Sequence, residues 1–186
     1  MKEPRKLYGK NRQLLEGIVE DSACKVMTEY ETGKGFVYAK ITFSGKAAAL
    51  PSTSNSKSIL SIGPKNNKRP IITNSPEHQA RLQAMTFLYE TEMREREALK
   101  FDGNVQIFVF LGRRKVSFDS HNFSKTVGDW LEAVGVLEND RFAEIHCYKK
   151  TDYAQFIGSL DTTEIHITKK EKLRELMNVV INEVAA

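Results

Sequence analysis

The chain's 186 residues suit one domain with a decorated end or an extension, and a 40% share of hydrophobic residues is enough for an ordinary soluble core. No apolar run approaches the ~20 residues needed to span a bilayer, and the start MKEPRKLYGKNRQ has charge with no apolar stretch behind it, so neither a membrane span nor a secretory signal is expected. Cys24 and Cys147 have neither CxxC spacing nor a ligand cluster around them, which argues against a disulfide framework or a zinc site and makes a reducing cytoplasm the default location.

In chain order, residues 1 to about 35 read as a polar extension to a domain that fills 36–186. Within the extension, Leu14, Leu15, Ile18 and Val19 fall on one face of a short helix, and Gly33-Lys34-Gly35 marks a turn. Phe36–Phe43 alternates and is rich in aromatic and β-branched residues, so it is expected to be a strand. Pro51–Ser75 is dominated by serine, asparagine, glycine and proline and reads as a long irregular loop, with Ile71-Ile72 the one piece suited to pairing.

A helix is then predicted from Ser75, a good N-cap with Pro76 at the first helical position, to about Lys100. Its apolar side is Ala80, Met85, Phe87 and Leu88, with His78 on its surface and Glu92–Glu97 as a solvated charged segment. Asp102-Gly103 is a turn. Val105–Leu111 is apolar on both faces, the pattern of a central strand buried on both sides. A second helix is predicted from about Ser120 to Val134, with Phe123, Val127, Trp130, Leu131 and Val134 on its core side and Gly135 as its stop. Strands follow at Arg141–Tyr148 and Thr162–Thr168. Glu144 with His146, and Glu164 with His166, fit a solvent face. A final helix, Lys169–Val184, carries Leu173, Leu176, Val180 and Val184 on one side. The order predicts an α+β fold: a two-layer sandwich with a mixed sheet and helices on one face.

The charge balance of 28 Lys+Arg against 24 Asp+Glu, net +4, says little alone. Its distribution in short clusters at Gly63–Arg69, Arg113–Lys115, Lys149–Lys150 and Lys169–Lys170 fits a folded surface touching a phosphate backbone at several points, or ordinary solvated lysines. Chemistry concentrates in 116–148. Asp119, His121 and Asn122 stand where a strand gives way to a helix, Lys125 lies one turn along from His121, and Asp140 returns after the helix. Asp119 and Asp140 supply the oxygen ligands that a hard cation takes, and His121 adds an imidazole better suited to manganese. Lys125 supplies charge for a phosphate oxygen, and a metal-bound water would attack phosphorus. Spacing alone leaves a simpler alternative in front: Asp119 as a helix N-cap, His121 and Asn122 as first-turn surface residues, and Asp140 as a turn residue.

The same stretch resembles the RusA-like Holliday-junction resolvases, many of them encoded by phages and prophages. Their pattern is an apolar strand, basic residues, Asp-x-Asp-Asn, a helix with a lysine shortly after the Asn, a Gly-Val-like turn and Asp-Asp before the next strand. Here it reads Arg113-Arg114, Asp119-Ser120-His121-Asn122, Lys125, Asp129-Trp130-Leu131, Gly135-Val136-Leu137 and Asn139-Asp140. Leu50–Asn55 resembles the family's early Pro-Pro-Ser-x-Asn loop, and Arg69–Gln83 its basic strand leading into a helix. The likeness spans about Lys40–Thr168. It departs from the pattern at His121, where the family has a second aspartate, and at Asn139, the first of the paired acids.

The resemblance implies a metal-dependent endonuclease that cleaves branched DNA such as four-way junctions, using Mg2+ or Mn2+ and working as a homodimer. Catalysis would fall to Asp119, His121, Lys125 and Asp140, with Asp119, His121 and Asp140 as metal ligands. DNA contacts would fall to Lys65, Lys68, Arg69, Arg113, Arg114 and Asn122. The His121 departure removes one negative charge and keeps two alternatives open: a branched-DNA-binding module that does not cut, or a nuclease of other replication or recombination structures.

Overall fold

A computed structural model describes residues 10–50, 57–62, 69–113, 123–150 and 161–172. The order of elements is α1 (Lys10–Glu20), β1 (Ser22–Glu31), β2 (Gly35–Gly45), β3 (Lys57–Ile62), β4 (Arg69–Asn74), α2 (Pro76–Glu92), β5 (Val105–Gly112), α3 (Ser124–Ala133), β6 (Ala143–Lys149) and β7 (Thr162–Lys169). The fold is α+β. Five strands form a mixed sheet in the order β1-β2-β7-β5-β6, in which β5 and β6 are parallel and every other pair is antiparallel.

Period-two alternation sorts the sheet into two faces. Ala39, Ile41, Phe43, Ile107, Val109, Ile165 and Ile167 are all buried on one of them. The three described helices pack there: Trp130 of α3 meets Phe43 of β2 and Tyr89 of α2 edge to face, and its indole N–H donates to Thr86 Oγ1 at 3.2 Å. The expectation that Trp130 is core holds. So does the interior place of β5, though its second face is only half-covered at Phe108 and Phe110.

Residues 22–31, read from sequence as part of a polar extension, form an edge strand paired with β2 from Ser22↔Gly45 to Glu31↔Gly35. Val26 is the one fully buried side chain in β1, which is why the segment looks polar. Of the expected helix face in α1, Leu15 and Ile18 are buried, Val19 packs at the margin of the core and Leu14 turns outward. Gly45 makes the junction tight. Its φ is +87°, and a Cβ there would lie 1.9 Å from the Asp21 carbonyl oxygen, so no other residue fits.

Two further expectations are corrected. The segment 51–75, read as an irregular loop, contains the antiparallel hairpin β3–β4, a separate two-stranded sheet in which Ile71 and Ile72 pair with Leu60 and Ile59. The helix capped by Ser75, whose side chain accepts from the His78 N–H at 3.2 Å, ends at Glu92 rather than near Lys100. The chain turns there because Leu99 and Phe101 must reach the core, where both are almost wholly buried. Arg96 holds the turn. Its guanidinium donates to the Val26 carbonyl at 2.7 Å and to Glu92 Oε1 at 2.8 Å. On α2 the buried side is His78, Ala80, Ala84, Met85 and Tyr89, while Phe87 is exposed. His78 is therefore a core residue rather than a surface one, and burial pushes its imidazole below its ordinary pKa.

Gly135 ends α3 as expected. At φ +77° it donates to the Glu132 carbonyl at 3.0 Å, while Val136 donates to the Leu131 carbonyl at 2.9 Å, a Schellman closure. The turn sends Val136 and Leu137 into the core. Phe101 N–H bonds back to Val136 at 2.9 Å, fixing where the chain re-enters the sheet. β7 runs on to Lys169, followed by a 3-10 turn over Lys170–Lys172; the rest of the predicted final helix lies outside the described residues.

Candidate functional site

The parallel pair β5–β6 dictates the geometry of the segment that carries the candidate chemistry. β5 leaves the sheet at Gly112, and β6 enters beside its start, Ala143 opposite Val105. α3 must therefore carry the chain back along the covered face. Arg113 follows the exit end of β5, and Asp140 belongs to the return.

Asp140 opens a 3-10 turn, Asp140–Phe142, immediately before β6. Asn139 caps that turn: its Oδ1 accepts from the Arg141 N–H at 3.0 Å. The capping task needs only a side-chain oxygen, which either asparagine or aspartate supplies. The Asp140 N–H points to Glu132 Oε2 at 3.4 Å. The Asp140 side chain lies over α3 at Gly128. A Cβ placed on Gly128 would meet Ile145 Cδ1 at 3.1 Å, Asp140 Cβ at 3.4 Å and Asp140 Oδ2 at 3.6 Å. Glycine at this helical position is what lets the return loop bring a carboxylate onto the helix.

Lys125 is one turn before Gly128. Its ammonium pairs with Asp129 Oδ1 at 3.1 Å and is well exposed. The Asp129 hydrogen bond and charge, followed by the charges of Asp140 and Glu132, raise the Lys125 pKa. Two of the four expected catalytic residues, Lys125 and Asp140, thus share one electrostatic neighbourhood on α3. Among the described residues the Asp140 carboxylate has no hydrogen-bond or ion-pair partner.

Asp119, His121, Asn122 and Arg114 lie outside the described residues, as do Lys65 and Lys68; Arg69 is the first residue of β4. Among the described residues no three His, Cys, Asp or Glu side chains converge to hold a metal ion. The N-cap position of α3 is Phe123, which makes no side-chain cap hydrogen bond. Arg113 is engaged within the fold. Its guanidinium donates to the Thr162 carbonyl at 3.0 Å and to Thr163 Oγ1 at 3.2 Å, and lies 5.8 Å from the centre of the Phe123 ring. It ties the exit of β5 to the start of β7.

A second concentration of polar and aromatic side chains lies on the sheet face opposite the described helices, and sequence reasoning took it for plain solvent surface. Glu144 and His146 fit that description. Glu164 and His166 do not: their side chains are only 16% and 12% exposed. His166 Nδ1 bonds the Tyr38 hydroxyl at 2.9 Å, and its Nε2 lies 3.6 Å from Glu164 Oε2. Lys150 pairs closely with Glu164 Oε1, and Lys40 lies 3.3 Å from Oε2. The imidazole and the two ammonium groups hold the Glu164 carboxyl well below the usual carboxylate range, against burial, which works the other way. Register places Lys40, His166, Phe108 and His146 in one row across the sheet, and Thr42, Glu164, Phe110 and Tyr148 in the next. Phe108 stacks on His146 and Phe110 on Tyr148, each with ring centres 5.5 Å apart. The alternation of β7 and β6 was the signal in the sequence; that these strands both flank β5 was not readable from it.

Among the described residues no helix is long and apolar enough to cross a membrane. No model of a known protein family matches the chain, and no curated protein matches it either.

Proposed function

We propose that the chain is a metal-dependent endonuclease acting on branched DNA, as a homodimer, with Asp119 and Asp140 as the paired carboxylates. The observation that carries this reading is the seat of Asp140 on Gly128. The Asp140 carboxylate, without a hydrogen-bond or ion-pair partner among the described residues, lies over the helix that carries the Lys125 ammonium and follows Asp119-Ser120-His121-Asn122 in the chain. A carboxylate is a fit donor for a hard divalent cation, which takes one or two carboxylates and completes its shell with water and phosphate oxygens. Such an ion would supply a water of lowered pKa as the nucleophile.

The chain's own residues do the rest. Lys125 is held to Asp129 by an exposed ion pair, a contact worth little in water, so its ammonium is available to a non-bridging phosphate oxygen. His121, an imidazole where the resembled family has a carboxylate, shifts preference toward manganese. A twofold dimer presents two identical sites to the two symmetry-related strands of a four-way junction. Cys24 and Cys147, both unbonded, fit a reducing cytoplasm.

The test is cleavage of a labelled four-way junction by wild type and Asp140→Asn, in magnesium and separately in manganese. Symmetric nicking that Asp140→Asn abolishes, with junction binding retained, is the expected result. Tight binding without nicking in either metal would replace this reading with a binding module that does not cut. Absence of both binding and nicking would sink the reading altogether.

A further inference from the structure

We propose that residues 173–186 lie as a helix across the sheet face opposite the described helices, so that the sheet is covered on both sides by its own chain and the face is withdrawn from any DNA partner.

The face is buried where no described helix reaches it. Register puts Glu29, Tyr38, Thr168, Gln106 and Glu144 in one row across the five strands on this side. The described helices pack on the other side, yet Thr168 is 1% exposed and Gln106 6%. Neighbours within a row shield a side chain from its flanks; a side chain standing off the sheet is closed from above by a further layer. The burial is graded along β7. Thr168 is the most enclosed, while the His166 and Glu164 side chains, earlier in the strand, retain 12% and 16% of their exposure. Toward the edge strands Met27, Glu144 and Tyr148 are exposed. The cover therefore lies over the middle of the sheet and is tightest at the end where β7 finishes.

That end is where residues 173–186 begin. β7 stops at Lys169 and a 3-10 turn takes up Lys170–Lys172. The Lys172 ammonium lies 3.9 Å from Glu29 and 3.7 Å from Glu31 of β1, two strands away from β7. Glu29 is the outermost member of the Thr168 row, so the chain leaves β7 toward this face. Residues 151–160, by contrast, join the end of β6 to the start of β7, at the opposite end of both strands from Gln106 and Thr168. The pattern of residue types fits the same place. Leu173, Leu176, Met177, Val180, Ile181 and Val184 recur at helical spacing on one side, with Arg174, Asn178 and Asn182 on the other. Such a stripe is stabilised by an apolar surface, and Phe108 and Phe110, half-buried on the interior strand β5, supply one. A helix over 173–186 is about 21 Å long, and the sheet measures about 19 Å from first strand to last.

The test is the reactivity of His166 and His146 toward diethyl pyrocarbonate in the full chain, read by mass spectrometry, with circular dichroism as the control for folding. In wild type His166 is expected to react at least about tenfold more slowly than His146, since the reagent reaches it only when the cover opens. Leu176→Asp and Val180→Asp, which put a charge in the apolar stripe, are expected to speed His166 by about tenfold and to leave His146 unchanged. Asn182→Asp, on the polar side, is expected to alter neither. Should Leu176→Asp fail to fold, Val180→Asp still reads the face. Equal reactivity of the two histidines in wild type overturns the proposal. So does protection of His166 that persists in the folded stripe variants, or that is released by Ile157→Asp instead, which would assign the cover to residues 151–160.

Discussion

The two faces of the five-stranded sheet are built from the same strands and held by different physics. On β5, Val105, Ile107, Val109 and Leu111 point to the helices and are buried almost completely, while Phe108 and Phe110, their immediate neighbours in sequence, are half-covered. The covered face is stabilised by burial of apolar area, which has no direction. The opposite face is stabilised by pairs: Tyr38 with His166, Glu164 with two lysines, ring on ring. Burial tolerates changes of pH and salt. A network of charged hydrogen bonds does not.

The sharpest way to break this comparison is to truncate both faces. Ile107→Ala removes three carbons from a fully buried position and is expected to cost about 2–5 kcal/mol in chemical denaturation, nearly independent of pH. Glu164→Gln is expected to cost less, about 1–3 kcal/mol at neutral pH, since it strips the carboxylate from a charged network. Its pH dependence carries the distinction. The folded-state pKa of Glu164 is depressed, so its contribution is complete above the ordinary value of 4.5 and is lost as pH falls below that toward the folded value. Stability curves of wild type and Glu164→Gln should converge in acid. Curves that stay parallel down to pH 3 would mean that the network contributes nothing and that the two faces do not differ in this way.

The smallest effect on stability belongs to Gly128→Ala. Alanine favours a helix over glycine by ~1 kcal/mol, and the added methyl presses on Ile145 Cδ1 at 3.1 Å and Asp140 Cβ at 3.4 Å. The two effects oppose, so thermal stability should hardly move while the Asp140 carboxylate shifts. Loss of junction nicking with an unchanged melting temperature is the expected outcome. Full activity in a well-folded variant would show that the seat of Asp140 on the helix plays no part in the chemistry.

Local rules determined much of this protein directly. Ser75 and Pro76 start α2, Gly135 stops α3, alternation marks β2 and β7, and a run apolar on both faces marks β5, because each depends on backbone geometry within a few residues. The candidate site was read as a pattern of residue types; the structure places the Asp140 side chain over α3 at Gly128, where its charge is felt at Lys125. What only the tertiary structure decided was whatever depends on contacts far apart in the chain. β1 contributes one buried valine and becomes a strand because β2 offers it an edge. α2 stops at Glu92 because Leu99 and Phe101 are needed in the core and Arg96 can reach the Val26 carbonyl, 70 residues away. His78 is buried on the side where a helix read alone shows only a polar residue. The paired face depends on strand order: β7, the last described strand in sequence, inserts between β2 and β5 and brings Glu164 and His166 beside Tyr38, Lys40 and Phe110. Spacing within a segment sets which way a side chain points; only long-range pairing sets what it meets there.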